Sequence, residues 1–206
     1  MSNRECNVLL EQIRDCTICT ASLPLSPLPI LQASDKAKIL IAGQAPGIKT
    51  HQKARPFDDA SGERLRSWLG VDKETFYNPE LFAIIPMGFC FPGTFEKNGK
   101  KQGDKPPRPE CAANWHPRLL PQLNQLELTL VLGQYAIDYH IQPLLPESES
   151  KINVTQAVER WQEFWPHKLV LPHPSPRNNL WLKRHPEFEQ TLLPLLRRRV
   201  HEILNS

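Results

Sequence analysis

The chain has 206 residues, of which 40% are hydrophobic and 23% are charged, fractions typical of a globular protein and not of a disordered one. A net charge of +3 excludes a strongly basic protein that coats nucleic acid, although basic residues can still cluster locally. The 21 prolines, about twice the usual share, predict rigid and extended loops. Residues 1–8 are polar and no apolar run approaches the roughly 20 residues of a membrane span, so we expect a cytoplasmic protein without a secretory signal.

Short apolar runs that stop at a glycine or at a polar turn predict buried strands, and apolar residues three or four apart predict helices. In chain order the predicted elements are a helix at 5–14, a strand at 38–42, a helix at 61–69, strands at 81–87 and 128–132, helices at 134–140 and 154–164, a strand at 168–171 and a helix at 188–204. Residues 93–109 are predicted to be a long polar loop that carries Lys97, Lys100, Lys101, Lys105 and Arg108.

Four buried strands separated by helical segments predict an α/β fold with three layers, α/β/α, around a central four-stranded parallel sheet. We find no internal repeat and no long linker, so residues 1–206 are expected to form a single domain. In such sheets ligands bind beyond the carboxyl ends of the strands. The segments at those ends are GQAPG (43–47), MGFC (87–90), GQYA (133–136) and HPSPRNN (173–179).

The first and last of these segments form a recognisable pair. GQAPG resembles the water-activating loop of the uracil-DNA glycosylase superfamily, and HPSP at 173–176 resembles its DNA-gripping loop. Between them, RPF at 55–57 followed by SG at 61–62 resembles a segment of the iron–sulfur branches of that superfamily. The resemblance covers nearly the whole chain, and it is closest to a bacterial branch near the iron–sulfur glycosylases.

This resemblance implies a monofunctional DNA glycosylase of base excision repair, which hydrolyses the N-glycosidic bond of a flipped damaged or modified base, uracil or another. His173 is then expected to stabilise the leaving base, and Phe57 to stack on it. The implied base-binding residues are Gly43, Ala45, Pro46, Phe57 and Pro86. The implied DNA-binding residues are Ser175, Arg177, Asn178, Leu180, Lys183 and Arg184. Among them, Ser175 is expected to bind a phosphate and Leu180 to act as an apolar wedge, in a loop that enters the minor groove.

The first motif departs from the family pattern because neither Gln44 nor Ala45 is a carboxylate. Gln44 can position a water molecule, but an amide is a poor general base. Asp59, in the segment after Phe57, is the nearest match to the aspartate that one related branch uses, and a carboxylate there could activate water. The alternative is that Asp58 or Asp59 caps the helix that begins near residue 61.

A second departure concerns the choice of base. The iron–sulfur branches end their second strand with an asparagine that reads the edge of uracil, four residues before a cysteine. Counting back from Cys90 gives Pro86, which cannot form those hydrogen bonds. Because polar recognition rejects the wrong partner strongly, its loss opens the target to other bases. His51, in the loop after the first motif, is a further polar candidate.

Cysteines of a cytoplasmic protein stay reduced, so clustered ones suggest a metal site and not disulfides. Cys16 and Cys19 form a CxxC pair, Cys90 and Cys111 follow singly, and Cys6 is left over. The order of the first four resembles the ligands of the [4Fe–4S] cluster in the related branches, although the segment between Cys90 and Cys111 is longer here. Four thiolates suit such a cluster or a structural zinc ion, and the third possibility is buried free thiols. Any metal would be structural and remote from the base pocket.

Two other functions are compatible with the sequence. One is a non-catalytic module that binds DNA or a base on the same fold, because the expected carboxylate and asparagine are missing. The other is a hydrolase of free nucleosides or nucleotides, which would have no use for the wedge and the cations of residues 177–184. In the leading interpretation the partner is DNA, no membrane is involved, and the protein is a monomer.

Overall fold

The structure, a computed structural model, describes residues 3–206 and the side chains of residues 4–99 and 102–206. Met1 and Ser2, which begin the segment predicted to be polar and free of a signal, lie outside the described residues. The side chains of Lys100 and Lys101, predicted to belong to a polar loop, lie outside them as well. None of the described helices combines the length and the apolar character needed to cross a lipid bilayer.

The described part of the chain contains two sheets. Its strands are β1 (Ile39–Ala42), β2 (Phe82–Ile84), β3 (Thr94–Lys97), β4 (Lys100–Asp104), β5 (Leu128–Leu132) and β6 (Lys168–Leu171). Four of them form a parallel sheet in the order β2-β1-β5-β6, while β3 and β4 form an antiparallel pair of their own. In the parallel sheet Leu40 lies opposite Ala83 on one side and Thr129 on the other. The prediction of a central four-stranded parallel sheet is therefore confirmed.

Helices cover both faces of this sheet. They are α1 (Asn3–Arg14), α2 (Ile48–Lys53), α3 (Ala60–Leu69), α4 (Lys73–Phe76), α5 (Pro109–Leu119), α6 (Gln134–His140), α7 (Val154–Glu159), α8 (Asn179–Arg184) and α9 (Leu193–Leu204). Leu40 faces a cluster of buried residues from α1 and α5, whereas Ile39 and Ile41 face the larger cluster that includes α3, α6 and α9. This alternation along β1 produces the three layers that the sequence predicts.

The predicted loop 93–109 is wrong, because it contains the β3–β4 hairpin and the start of α5. Asn98 and Gly99 form its turn, both with positive φ (51° and 69°), and this dipeptide is the one that two-residue hairpin turns favour. The strands themselves have little apolar content, with Phe95 the exposed exception. A search for apolar runs therefore overlooks them, although the Asn-Gly pair is a usable signal.

Candidate functional site

An open cleft lies at the carboxyl edge of the parallel sheet, where the ends of β1, β2 and β6 meet. Its volume is about 440 Å³, within the range of small-molecule sites. The walls come from the loop 43–50, residues 56–57 and 59–61, Pro86, the hairpin residues Thr94, Gly103 and Asp104, and residues 173 and 175–177. Topology therefore brings together the first and last of the four segments that the sequence places at strand ends, GQAPG and HPSPRNN, as expected for an open parallel sheet. Residues 87–90 and 133–136 are not among those that line the cleft.

The loop after β1 is held firmly against the segment that follows β2. The backbone N–H of Met87 donates to the Gly43 carbonyl (2.8 Å), and that of Gly88 donates to the Gln44 carbonyl (3.0 Å). The side-chain amide of Gln44 donates to the carbonyl of Lys105, at the exit of the hairpin (3.2 Å). The side-chain nitrogen of Gln44 thus connects the loop to the hairpin. Its side-chain oxygen can still accept a hydrogen bond from a water molecule. Gly43, Ala45 and Pro46 line the cleft.

Phe57 lies in the wall of the cleft in an unusual backbone conformation, with φ at 54°. Its ring meets Phe76 edge-on, with the ring centroids 6.2 Å apart. A guanidinium N–H of Arg66 donates to the Phe57 carbonyl (3.2 Å), and the hydroxyl of Tyr77 donates to the Pro56 carbonyl (2.8 Å). A non-glycine residue in this region is held there only by its surroundings, and such residues concentrate at functional sites.

Asp59 both lines the cleft and caps a helix. It is the N-cap of α3, where its Oδ1 accepts a hydrogen bond from the backbone N–H of Gly62 (3.0 Å). Asp58 instead forms ion pairs with Lys73 (2.9 Å) and Lys53 (3.4 Å). It is not among the residues that line the cleft. The hydrogen bond from Lys73 lowers the pKa of Asp58. Of the two aspartates, the structure brings Asp59 into the cleft.

His173 is held in one orientation and one neutral tautomer. The backbone N–H of Ser175 donates to its Nδ1 (3.2 Å), so the proton of the neutral ring is on Nε2. Burial lowers the pKa of His173, an effect that the carboxylates of Asp59 and Asp104 oppose and that Arg177 reinforces. The neutral ring therefore offers a hydrogen-bond donor to the cleft without needing a positive charge.

The segment after His173 is more ordered than the predicted loop. It forms a single 3-10 turn, Pro176–Asn178, followed by α8. The hydroxyl of Ser175 accepts from the backbone N–H of Arg177 (3.2 Å), and the side-chain amide of Asn178 donates to the His173 carbonyl (2.8 Å). Asn178 thus stabilises the turn, while Arg177 lies exposed at the cleft beside the hairpin.

Helix α8 presents one apolar and two basic side chains to solvent. Trp181 anchors the helix, because its indole N–H donates to the hydroxyl of Thr155 (2.8 Å). Its neighbour Leu180 is 59% exposed. Lys183 and Arg184 are also exposed, and within the described side chains neither has an ion-pair partner. This face is therefore free to meet a negatively charged partner.

Pro86 lines the cleft where the resemblance implies an asparagine. Its carbonyl accepts a hydrogen bond from Nε2 of the buried His116 (3.1 Å). The side chain that would read the edge of a base is therefore absent at this position. His51, the other polar candidate, is not among the residues that line the cleft, and its ring centroid lies 6.2 Å from that of Phe91.

The four cysteines predicted as ligands line a separate cavity of about 20 Å³. None of the five cysteines forms a disulfide bond. The backbone N–H of Phe89 donates to Sγ of Cys111 (3.2 Å), and burial raises the pKa of Cys111 to about 12. Among the described residues, no three cysteine, histidine, aspartate or glutamate side chains are arranged to hold a single metal ion. Residues 86–90 connect this cavity to the cleft, because Pro86 lines the cleft and Cys90 lines the cavity.

One polar residue of the cleft escapes the sequence analysis altogether. Asp104, at the end of β4, lines the cleft together with Thr94, the residue opposite it in the hairpin. The hydroxyl of Thr94 lies 3.5 Å from Oδ1 of Asp104, a contact at the limit of a hydrogen bond. In the sequence this aspartate stands in a polar, lysine-rich stretch, so no local pattern distinguishes it.

Comparison with known proteins gives two findings. Residues 31–197 match the sequence profile of the uracil DNA glycosylase superfamily. The solution NMR structure of a candidate uracil DNA glycosylase from Methanosarcina acetivorans is also similar, with a TM-score of 0.47 and 17% sequence identity. That match covers 83% of this chain and 98% of the other one.

Proposed function

Since the chain belongs to the uracil DNA glycosylase superfamily, we propose that it is a monofunctional DNA glycosylase that hydrolyses the bond between a flipped base and its deoxyribose. The observation that carries this proposal is the orientation of His173, whose Nδ1 is occupied by the Ser175 N–H so that its Nε2–H is available in the cleft. A donor fixed in advance is what a leaving base with growing negative charge requires. Base excision repair is the setting we propose for this activity.

In this proposal a base that has left the duplex enters the cleft and stacks on Phe57. The C1′–N bond breaks with its electron pair moving to the base, and His173 stabilises the resulting anion through its Nε2–H. Water then adds to C1′ and gives its proton to a carboxylate of the cleft. Asp59 is one candidate for that carboxylate, although its hydrogen bond to Gly62 also serves α3.

The DNA contacts proposed from the resemblance fall along the segment 175–184. Ser175 and Arg177 would meet the backbone phosphates near the cleft, and Lys183 and Arg184 would meet them further along α8. The exposed Leu180 would act as the wedge that separates bases. Because the DNA supplies the large interface, we propose a monomer, and for a repair enzyme of this kind we propose the cytoplasm.

The target base is proposed to be recognised differently from uracil in the iron–sulfur branches. Pro86 offers no side-chain hydrogen bond, and its carbonyl is already engaged by His116. The polar groups that line the cleft include the Nε2–H of His173, the Gln44 amide oxygen, groups of the hairpin, and the side chains of Lys49, Thr50, Asp59 and Ser61. A damaged or modified base other than uracil is therefore the substrate class that this cleft favours.

We also propose that the cysteine cavity holds a [4Fe–4S] cluster through Cys16, Cys19, Cys90 and Cys111. The support for this proposal is that four thiols line one cavity, with an N–H donor at Cys111 of the kind that stabilises cluster sulfurs. A single zinc ion would need its sulfurs only about 3.8 Å apart, and no three donors of the described residues are gathered in that way. The cluster would be structural, tying the segment after α1 to the segment after β2.

Metal analysis tests this assignment. Protein purified without oxygen should contain about four iron atoms and equivalent sulfide per chain, and Cys111→Ser should lose most of both. Cys6→Ser is the matched control, since Cys6 is buried in α1 away from the cavity. One zinc per chain, or no metal in freshly purified folded protein, would contradict the cluster.

The glycosylase proposal is tested by base release. Oligonucleotides carrying uracil, hypoxanthine, xanthine or modified cytosines are incubated with the protein, and abasic sites are cleaved with alkali. We expect cleavage of at least one substrate, with a rate about 10²–10³-fold lower for His173→Ala because the donor to the leaving base is lost. His201→Ala, on the exposed face of α9, should keep the wild-type rate.

The alternatives give different results in the same assay. Folded protein that binds these oligonucleotides and cleaves none would be a non-catalytic module, an outcome favoured by the engagement of Asp59 and Gln44 in structural hydrogen bonds. Release of base from free nucleosides, but from no oligonucleotide, would identify a nucleoside hydrolase.

A further inference from the structure

The hairpin brings a carboxylate to the place where the first motif lacks one. The first motif ends at Gly47, and a Cβ added to this glycine would lie 3.2 Å from Oδ2 of Asp104. Asp104 therefore sits directly against the loop whose variable positions, Gln44 and Ala45, carry no charge. Residues 57 positions apart in the sequence are brought together because the hairpin folds back over the cleft.

The position of Asp104 is fixed by hydrogen bonds of its neighbour. The backbone N–H of Lys105 donates to the Gly93 carbonyl (2.8 Å), and the Lys105 carbonyl accepts from the side chain of Gln44 (3.2 Å). These bonds hold the end of β4 between the start of the hairpin and the first motif. Among the described side chains, the 3.5 Å contact to the Thr94 hydroxyl is the one hydrogen bond of the Asp104 carboxylate, so its oxygens can still accept protons or hydrogen bonds.

The other two aspartates near the cleft, Asp58 and Asp59, already form ion pairs or hydrogen bonds with other residues. Asp58 pairs with Lys53 and Lys73 outside the cleft wall. Asp59 lines the cleft, but its Oδ1 accepts from Gly62 and its role as the N-cap of α3 fixes its direction. Of the described acidic residues that line the cleft, Asp104 is thus the one whose carboxylate has no structural hydrogen bond of normal length.

We propose that Asp104 is the catalytic carboxylate of this cleft, supplied by the hairpin in place of a residue of the first motif. This inference rests on the proposed glycosylase function and assigns its missing general base. As the C1′–N bond breaks, the negative charge of Asp104 stabilises the positive charge on the sugar. As a water oxygen bonds to C1′, Asp104 accepts the proton that the water loses and later returns it to solvent.

A charged mimic of the sugar tests this role without knowledge of the base. Two DNA duplexes are compared, one with a cationic pyrrolidine in place of the deoxyribose and one with neutral tetrahydrofuran. We expect wild-type protein to bind the pyrrolidine duplex at least about tenfold more tightly, as enzymes bind analogues of their transition states. Asp104→Asn should reduce this preference to about onefold while leaving affinity for the tetrahydrofuran duplex unchanged.

Three further variants make the comparison specific. Glu96→Gln removes one negative charge from the same hairpin outside the cleft wall, and it should keep the full preference. Asp59→Asn should keep most of it. Gly47→Ala, at a residue with ordinary φ (−77°), should reduce it because the new methyl group displaces the Asp104 carboxylate. Thermal unfolding of each variant shows whether the fold is retained.

The possible results separate the role of Asp104 from the glycosylase function on which it depends. Preference retained in Asp104→Asn and lost in Asp59→Asn would overturn the inference and identify Asp59 as the carboxylate. Equal binding of both duplexes by wild-type protein that releases base from the oligonucleotide panel would also overturn it, with the glycosylase function intact. Wild-type protein that binds neither duplex and releases no base would overturn both.

Discussion

The absence of a side chain at Gly62 makes room for the backbone of Phe57. A Cβ on this glycine would lie 1.7 Å from the carbonyl oxygen of Phe57 and 2.9 Å from its Cβ. The close approach of α3 therefore supports the left-handed conformation of Phe57, together with the hydrogen bond from Arg66. The glycine of the SG pair is thus explained by packing, and the shape of the cleft wall depends on it.

We predict that Gly62→Ala destabilises the protein and displaces Phe57. Because backbone atoms cannot move aside cheaply, the free energy of unfolding should fall by about 1–3 kcal/mol, as overpacked sites do. Urea unfolding measures the loss. Gly43→Ala is the matched control, since a Cβ there has nothing within 4 Å. Equal stability of both variants would mean that α3 does not press on Phe57.

At the scale of elements, the segment that leads into helix α8 and the hairpin both line the cleft. Arg177, just before α8, reaches the hairpin, where its Nη1 lies 3.9 Å from a Cβ built on Gly103. The basic face of α8 continues away from this point through Lys183 and Arg184. A DNA strand that follows the positive charges would therefore pass the cleft before it reaches the end of the helix.

For α8 we predict a change in salt dependence. If both side chains bind phosphates of duplex DNA, Lys183→Ala with Arg184→Ala should make the slope of log K against log[salt] less negative by up to about 2. Binding isotherms between low and moderate salt measure it. Arg198→Ala, another exposed arginine of the C-terminal region, should leave the slope unchanged. The same slope in the double variant and wild type would exclude α8 from the DNA interface.

We predict that the hairpin is needed for the preference for the cationic duplex but contributes little to the free energy of unfolding. Within the described residues β3 and β4 pair only with each other, and their side chains add nothing to the buried clusters. Replacing residues 94–104 by a short Gly-Ser turn should therefore change the free energy of unfolding by less than about 1 kcal/mol. It should also remove the preference for the cationic duplex. A loss of several kcal/mol would show that the hairpin belongs to the cooperative core.

The sequence predicts some of these elements and site residues better than others. The strands 128–132 and 168–171 are predicted to the residue, because a strand buried on both faces needs a largely apolar run. The helix α5 is missed, since its polar first turn and Pro117 obscure the helical pattern. The motif residues around His173 are placed at the cleft by topology alone. Asp104 could not be predicted, because its position depends on a fold-back that no local pattern encodes.

At the scale of the whole molecule, buried histidines make stability depend on pH. Burial lowers the pKa of His116 to about 4 and that of His140 to about 3, and it also lowers that of His173. An unfolded histidine titrates near 6.5, so on acidification the unfolded chain takes up these protons first. The stability that the neutral rings provide is complete above pH 6.5 and is lost as the pH falls toward 4.

We therefore predict a free energy of unfolding that falls between pH 6.5 and 4, by on the order of 1.4 kcal/mol per pH unit for each such histidine. Denaturant unfolding across this range measures the slope. His116→Gln, which keeps a donor for the Pro86 carbonyl but cannot titrate, should reduce the slope by the share of one histidine. His201→Gln, at an exposed position, should not change it. A slope unaffected by His116→Gln would contradict this account.

The segment 86–90 directly connects the cleft with the cysteine cavity. Its first residue forms part of the wall against which a base would rest, and its last carries a thiol of the cysteine cavity. Stacking of Phe89 on His116, which in turn holds the Pro86 carbonyl, stiffens this segment. A displacement of Cys90, for example by oxidation or alkylation of its thiol, would therefore be transmitted along this segment to Pro86 in the wall of the cleft.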